Sequence, residues 1–382
     1  MKTFRWIFAL FAALVVLPSA CFAADPLAAV IAVQQSDKAL HIMAMLLVGF
    51  GFLMVFVKKY GRSALTATFL LVSVAIPLYI FINRLGLLGS VKTGMEGLIL
   101  AEFAAAGLLI CAGAVLGRLK MYQYLILGLL FVPCYMLNEW VLLSGGFGLI
   151  AKGAFVDTGG SILIHAFGAI FGFGLILTLT TKKEFAAPIE SDAESDKFSL
   201  LGSMVLWLFW PSFCAALVPV ARVPLTVINV VIALCGATLA TYAATLLFRR
   251  QIAIGDIANA SLAGGVAIGS TCNHANPVSA LVIGLLAGAL SVFGFALILP
   301  WLQMKIQKVD TCGVMYLHGL PGLLGGVAAL FIVSGLSRRT ELTGIIIAVV
   351  LALLTGYLAG LIITLFGRRA VPYTDAEEIL DS

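Results

Sequence analysis

Two histidines recur in the same local setting, and they are the residues best suited to chemistry in this sequence. Asp157 precedes His165 by eight residues, and Asp310 precedes His318 by eight. Eight helical residues rise about 12 Å, close to half of the roughly 30 Å hydrocarbon core of a bilayer. If both segments cross a membrane, each aspartate lies near one face and each histidine near the centre. A neutral imidazole offers one hydrogen-bond donor and one acceptor, which suits a small hydrogen-bonding solute.

The composition indicates that the surroundings of these residues are a membrane. Apolar residues make up 62% of the 382 residues and charged residues 11%, whereas ordinary globular domains are about half apolar and a quarter charged. A soluble domain is therefore excluded. We interpret the net charge of +5 as basic cytoplasmic loops, and no nucleic-acid partner is expected. The seven cysteines include no Cys-x-x-Cys pair, so no zinc site or disulfide framework is suggested.

The N-terminal residues are typical of a secretory signal. Lys2 and Arg5 precede an apolar run that ends in small residues, and this pattern predicts a signal peptide over residues 1–23, cleaved after Ala23. The alternative is an uncleaved first helix. Residues 24–370 are then predicted to form the membrane domain, and residues 371–382 a cytoplasmic tail.

The rest of the chain predicts an all-α membrane protein with eleven transmembrane helices of about 20 residues each. The segments are 39–57, 64–83, 96–117, 121–143, 158–180, 199–221, 226–248, 256–272, 278–302, 313–334 and 345–366. With the mature N-terminus outside, fourteen basic residues fall in cytoplasmic loops and seven outside. This bias predicts an inner-membrane protein with a cytoplasmic C-terminus.

The longest polar stretch, residues 182–198, divides the helices into two groups of five with an eleventh left over. The two histidines lie in the fifth helix of each group. Because five is odd, these helices enter from opposite sides, so the halves are predicted to form an inverted repeat with a site near the midplane. Glycines follow both histidines, at 168, 172, 322 and 325, and allow neighbouring helices to approach closely.

Several interpretations of the histidine pair remain open at this point. Both side chains could be unrelated core histidines satisfied by backbone carbonyls, or could ligate a haem as two axial imidazoles. A narrow apolar passage with two imidazoles is costly for an ion, whereas water and ammonia both fit. No cofactor, metal site or covalent catalysis is expected, and we do not expect an enzyme.

The motifs around these residues resemble those of the ammonium transporter (Amt/Rh) family, in particular its Rhesus (Rh) branch. The resemblance covers about residues 36–366. It is carried by DTGGSILIHAFGAIFGFG (157–174) and DTCGVMYLHGLPGLLGG (310–326), with HIMAMLLVGFGFLMVFVKKYG (41–61), LNEWVLL (137–143), LWLFWPSF (206–213) and ASLAGGVAIGS (260–270) in matching order.

This resemblance implies a homotrimer in which each subunit conducts ammonia or ammonium through a pore lined by His165 and His318. It implies an outer gate formed by Phe103 and Phe213. It also implies an acidic residue at the start of the fifth helix that caps the helix or recruits ammonium, and an acidic residue in the outer vestibule; these are Asp157 and Glu139.

The resemblance favours electroneutral ammonia flux, with methylammonium as a further substrate. A carbon dioxide channel, an ammonium sensor and a bis-histidine haem protein are the alternatives. Some positions depart from the family: Cys214 stands where asparagine is usual, Ala253 where an acidic residue is frequent although Asp256 is near, and His274 has no counterpart. We interpret His274 as a surface residue.

Overall fold

The computed structural model describes residues 26–380, so the predicted signal peptide lies outside the described residues. Within them the chain is all-helical, and ten helices are long and apolar enough to cross a membrane. The helices are numbered in chain order, and α8 is the interrupted segment over residues 254–271. The ten are α1 Ala28–Phe56, α2 Lys58–Arg84, α3 Gly94–Ala114, α4 Met121–Leu143, α5 Ser161–Leu179, α6 Ala193–Cys214, α7 Val220–Arg249, α9 Pro277–Ile306, α10 Met315–Ile332 and α11 Arg338–Thr364.

These ten helices correspond to ten of the predicted segments, with one large difference in bounds. The helix that contains α1 already begins at Pro26, whereas the apolar pattern predicted a start at residue 39. The missed turns include the polar run QQSDK at 34–38. Such a run lowers hydropathy without breaking a helix, because glutamine and lysine are good helix formers.

The predicted eighth helix is interrupted. Helical pieces Ile254–Ala260 and Ala263–Ile268 flank a break, and a 3₁₀ turn follows at Gly269–Thr271. This segment, α8, is too short to count among the ten, so within the described residues ten of the eleven predicted helices are long enough to cross a membrane and the eighth is interrupted. It nevertheless runs along α7. Asp256 bonds Thr245 and Arg249 near one end of α7.

At the other end of α7, the Asn229 amide donates to the carbonyls of Cys272 and Ala275, at 2.9 and 2.7 Å. About 20 residues of helix α7 separate these two attachments, a rise of roughly 30 Å. Segment α8 therefore extends along most of the length of α7 despite its break.

Helices α3 and α5 form the centre of the molecule. In their central windows 89% of residues are buried, against half or less in the other eight helices. Loops at one end of the bundle contact the C-terminal tail, where the Tyr373 amide donates to the Gly117 carbonyl at 2.8 Å. We call this end, which includes residues 57–61, 115–120 and 371–378, the tail face. The end that includes residues 85–93, 144–160 and 272–276 is the opposite face.

The starts of α5 and α10 are attached to their neighbours in the same way. The Gly159 amide donates to the carbonyl of Gly269 at the end of α8, at 2.8 Å. The Cys312 amide donates to the carbonyl of Gly113 at the end of α3, at 3.2 Å. Each donor lies two residues after its aspartate, so the Asp–His repeat extends from sequence to backbone hydrogen bonding.

Candidate functional site

Both histidines lie in π-helical turns. His165 belongs to the turn Ser161–Ala166 and His318 to the turn Met315–Gly319, and a regular α-helix follows each. π-turns are rare and occur frequently at functional sites. The apolar pattern of the sequence gave no indication of them, since it only separates helix from strand.

An aspartate caps each of these turns. Oδ2 of Asp157 accepts from the amides of Ile162 and Leu163, at 3.0 and 2.6 Å. In α10 the two carboxylate oxygens of Asp310 accept from the next turn in the same manner, from the amides of Val314 at 3.0 Å and Met315 at 3.2 Å. Carboxylates are favoured at helix N-termini because free amides point at them. The two aspartates therefore fix the turns that carry the histidines.

The two imidazoles meet through their Nδ1 edges in the interior. Their Nδ1 atoms are 3.2 Å apart, and the rings are parallel to within 2° at a centroid distance of 5.2 Å. His165 is 1% exposed and His318 3%. A hydrogen bond between two nitrogens requires one Nδ1 to be protonated, so a neutral pair leaves one Nε2 as an acceptor and the other as an N–H donor. Nε2 of His165 has no partner within residues 26–380.

A column of aromatic rings continues from the histidines towards the opposite face. The Phe213 ring lies 6.1 Å from His165 and 4.7 Å from Phe103, tilted by 47° to the latter. Both phenylalanines are nearly buried, at 3% and 5% exposure. Trp210 stacks on His165 at 5.4 Å. The structure therefore brings the predicted gate pair and the histidine pair into one continuous column.

On its other side, the column meets a cavity that extends from His318 towards the tail face. Its walls are almost entirely apolar, with Asn259 as a polar exception. The lining residues are Phe50, Leu53, Met54, Phe56, Leu109, Ile110, Gly113, Asn259, Cys312, Val314, Leu317 and His318. The two phenylalanines, the histidines and the cavity thus follow one another across the molecule.

Two glycines allow the helices around the histidines to pack backbone to backbone. A Cβ at Gly322 would lie 2.4 Å from the carbonyl oxygen of Ser161, and one at Gly168 would lie 2.6 Å from that of Gly107. Neither contact is possible for a side chain larger than hydrogen. The close approach that the sequence predicted therefore holds α10 and α3 against α5.

The remaining predicted site residues lie farther from the column. Oε2 of Glu139 accepts from the Tyr79 hydroxyl at 2.6 Å, and within the described residues no hydrogen bond or ring contact joins Glu139 to the gate. His274 is exposed in the loop after α8. Its pKa is lowered by partial burial and by nearby Arg222. The acidic residue nearest to Ala253, Asp256, pairs with Arg249 at 2.6 Å.

Metal ligation does not fit the histidine geometry. Two nitrogens on opposite sides of a metal ion are separated by about 4 Å, twice the usual metal–nitrogen distance, whereas these Nδ1 atoms lie at hydrogen-bond distance. In the part of the chain that the structure describes, no cluster of three or more His, Cys, Asp or Glu side chains could hold an ion.

The fold and the site indicate a class: a multi-pass membrane protein of the channel and transporter type. The model of the Ammonium Transporter Family matches residues 6–378, and the chain belongs to this family, in its Rhesus-type branch.

Among its relatives, the ammonium transporter Rh type A of Canis lupus familiaris is 37% identical over 310 residues, covering 78% of this chain and 72% of that protein. The Rh type B protein of Oryctolagus cuniculus is 40% identical over 297 residues, and this chain covers 62% of its length. The solved structure of Nitrosomonas europaea Rh50 superposes with a TM-score of 0.90 at 53% identity, covering 93% of both chains. It was described with the mechanism of conduction by the Rhesus protein family of channels.

Proposed function

We propose that this protein conducts ammonia, and methylammonium more slowly, through the column of Phe103, Phe213, His165 and His318. The observation that carries the proposal is the buried, parallel histidine pair between a ring-closed gate and a cavity. Ammonia has three N–H donors and one lone pair. The Nε2 acceptor of one imidazole and the Nε2–H donor of the other can therefore each bind it in turn, without any charge on the protein.

We further propose that the net flux is electroneutral. An ammonium ion between the Phe213 ring and the apolar cavity would lose its hydration without a carboxylate to replace it, which costs several kcal/mol. Releasing the proton to water on the outer side of the gate, so that only ammonia passes, avoids this cost. In this proposal, the gate excludes hydrated ions and the histidines stabilise the dehydrated solute.

The larger architecture belongs to the same proposal. The extent of α8 along α7 supports an eleventh crossing, and the matched bonds of Gly159 and Cys312 support two inverted five-helix halves with α11 left over. We assign the tail face to the cytoplasm of an inner-membrane protein and the opposite face to the outside, with a cleaved signal peptide over 1–23 and a homotrimeric assembly. Residues 24–370 are the membrane domain and residues 371–382 the tail.

The proposed roles of Asp157 and Glu139 rest on different observations. Asp157 uses both carboxylate oxygens in hydrogen bonds with the chain, which favours a capping role. Glu139 keeps one oxygen without a partner among the described residues and lies in the last turns of α4 at the opposite face. We propose Glu139 as the residue that attracts ammonium to the outer vestibule.

The proposal is tested by reconstituting the purified protein in liposomes and recording internal pH and membrane current together after an ammonium pulse. Ammonia entry raises the internal pH without current, and net ammonium entry produces a current. Vesicles that respond like protein-free ones would contradict conduction, and a saturable ammonium-dependent current would contradict electroneutral flux. Carbon dioxide conduction would instead acidify the lumen after a carbon dioxide pulse.

A further inference from the structure

Helices α1 and α6 are joined by two polar contacts that lie on either side of Phe213. Nζ of Lys38 donates to the carbonyl oxygen of Ala215 at 2.9 Å. Nδ1 of His41 lies 2.9 Å from the hydroxyl oxygen of Ser212. Lys38 and His41 are three residues apart and share one face of α1. The two contacts therefore hold the side chain of the residue before the gate phenylalanine and the backbone two residues after it.

The end of α6 needs such external support. Pro211 lies inside its last turn and has no amide hydrogen, so the helix loses one internal hydrogen bond there. The helix then ends at Cys214, with Ala215 as its C-cap. Among the described residues, the Ala215 carbonyl accepts only a long 3.4 Å bond from the Val218 amide and the bond from Lys38. Phe213 thus lies on a weakened turn that α1 secures.

Lys38 and His41 make polar contacts that residues with only a packing role do not make. No carboxylate lies within ion-pair distance of Lys38 within residues 26–380, so its ammonium group is bound to a backbone carbonyl instead. The His41 ring also stacks on Phe209 at 4.8 Å, one turn before Ser212. Both side chains of α1 are therefore directed at the last turn of α6 rather than at a charged partner.

We propose that Lys38 and His41 are positioning residues for the gate: they clamp residues 212 and 215 and thereby set the position of the Phe213 ring against Phe103. This inference rests on the proposed function, because it assigns the two residues to the gate of that passage. With the clamp intact, the gate admits ammonia and retards the larger methylammonium. Without the clamp, the terminal turn of α6 moves and the gate discriminates less.

The main experiment measures the ratio of methylammonium flux to ammonia flux in proteoliposomes. Lys38→Met keeps the apolar stem and removes the donor, and Ser212→Ala removes the partner of His41; each is expected to raise the ratio about fivefold, the effect of one lost hydrogen bond. Lys38→Arg retains a donor and should restore the parent ratio. Lys152→Met removes an exposed charge in the 149–153 loop and should leave the ratio unchanged.

Two combinations test whether the effect acts through the gate. His41→Phe removes the bond to Ser212 but keeps a ring on Phe209. The flux ratio of the double variant His41→Phe/Ser212→Ala should equal that of either single variant, since both substitutions remove the same bond. In a Phe213→Ala background, Lys38→Met should add nothing. If Lys38→Met changes the ratio equally in that background, the lysine acts by charge alone and the positioning role is wrong. The positioning role is also wrong if Lys38→Met has the same flux ratio as the parent protein, or if Lys38→Arg does not restore the parent flux ratio.

A readout without transport separates this inference from the proposed function. In Phe213→Cys protein, the rate of reaction with a small thiol reagent, measured against the parent background, should rise about fivefold with Lys38→Met and not with Lys38→Arg. If the thiol reactivity differs as expected but the protein conducts no ammonia, the clamp is supported and the proposed conduction is wrong. If the protein conducts ammonia but neither the reactivity nor the flux ratio changes, the clamp is wrong.

Discussion

The hydroxyl group of Ser270 donates a 2.6 Å hydrogen bond to Oδ1 of Asp157, which joins the end of α8 to the turn that carries His165. The amides of Ile162 and Leu163 donate to Oδ2. Both carboxylate oxygens of Asp157 are therefore hydrogen-bonded to groups of this chain. The same carboxylate thus caps α5 and holds the interrupted segment in place.

We therefore expect Asp157→Ala to destabilise the protein by about 1–2 kcal/mol, the usual effect of losing a helix cap. Asp157→Asn should retain most of this stability, because its amide can still accept from α5 and donate to Ser270. Thermal unfolding in detergent measures both changes. If Asp157→Asn unfolds like the parent but no longer conducts, the negative charge acts on the solute and capping is not its whole role.

The spacing of Asp157, His165, Asp310 and His318 was enough to predict a buried histidine pair, since one helical rise places both rings at the same depth. The structure brings these rings to hydrogen-bond distance. The π-turns were not predictable, because a single inserted residue changes the hydrogen bonding of one turn without altering the apolar pattern. Phe103 and Phe213 came from the family resemblance alone, as phenylalanine is abundant here, with 25 copies.

Other features escaped the sequence because they depend on distant partners. The break in α8 at Ser261 and Leu262 lies in a glycine- and alanine-rich run that reads as one apolar helix. The role of Lys38 depends on the carbonyl of Ala215, 177 residues away. A backbone acceptor carries no sequence signal, so only the fold could reveal the contact.

Gly322 is expected to tolerate no side chain. Its Cβ position lies 2.4 Å from the Ser161 carbonyl oxygen, and a backbone atom next to a π-turn cannot move away without displacing His165. Gly322→Ala should therefore cost about 1–3 kcal/mol, as overpacking typically does, and lower the yield of folded protein. Gly255→Ala is the matched control, because no atom lies within 4 Å of its Cβ position. Equal melting temperatures for the two variants would contradict the close contact.

The tail is expected to stay docked through Asp375. Its carboxylate accepts from the backbone amides of Arg62 and Ser63 and from the Ser63 hydroxyl, while the Tyr373 side chain is fully buried. Asp375→Asn weakens these charge-assisted bonds and should increase tryptic cleavage after Arg369 severalfold. Leu380→Ala alters a fully exposed residue of the same tail and serves as the control. Equal cleavage of Asp375→Asn and parent would show that other contacts hold the tail.

Acid should loosen the same segment. A hydrogen bond from Arg369 lowers the pKa of Glu377 below its usual value. A carboxyl whose pKa is lower in the folded state stabilises that state above its unfolded pKa of about 4.3, and this stabilisation is lost as the pH falls through the folded value. The protection of residues 371–378 against hydrogen exchange, measured relative to the intrinsic exchange rate at each pH, should therefore fall near and below pH 4, and Glu377→Gln should remove this pH dependence. A parent-like pH dependence in Glu377→Gln would exclude this carboxyl as its origin.

The basic residues predict that the tail face is cytoplasmic. A reporter that is active only in the cytoplasm should work when fused after Ser382, and a periplasmic reporter should not. A cysteine introduced at His274, in the exposed loop of the opposite face, should react with an impermeant reagent added to intact cells. Activity of the periplasmic reporter would reverse the orientation and leave the passage itself unchanged.

The histidine pair supplies the polar surface of the passage, so its removal should affect conduction directly. His165→Ala or His318→Ala leaves the partner Nδ1 buried without its hydrogen bond, a loss of about 1–3 kcal/mol, and removes half of the donor–acceptor pair offered to the solute. We expect ammonia flux in liposomes to fall about tenfold or more in each variant.

His274→Ala is the control, because it removes an exposed imidazole outside the passage and should conduct like the parent. The double variant His165→Ala/His318→Ala should be little worse than either single one, since the two rings act as a unit. Comparable melting temperatures distinguish loss of conduction from loss of folding. If folded single variants raise the internal pH as fast as the parent, the pair does not bind the conducted species, and the apolar column with its phenylalanine gate must account for the flux alone.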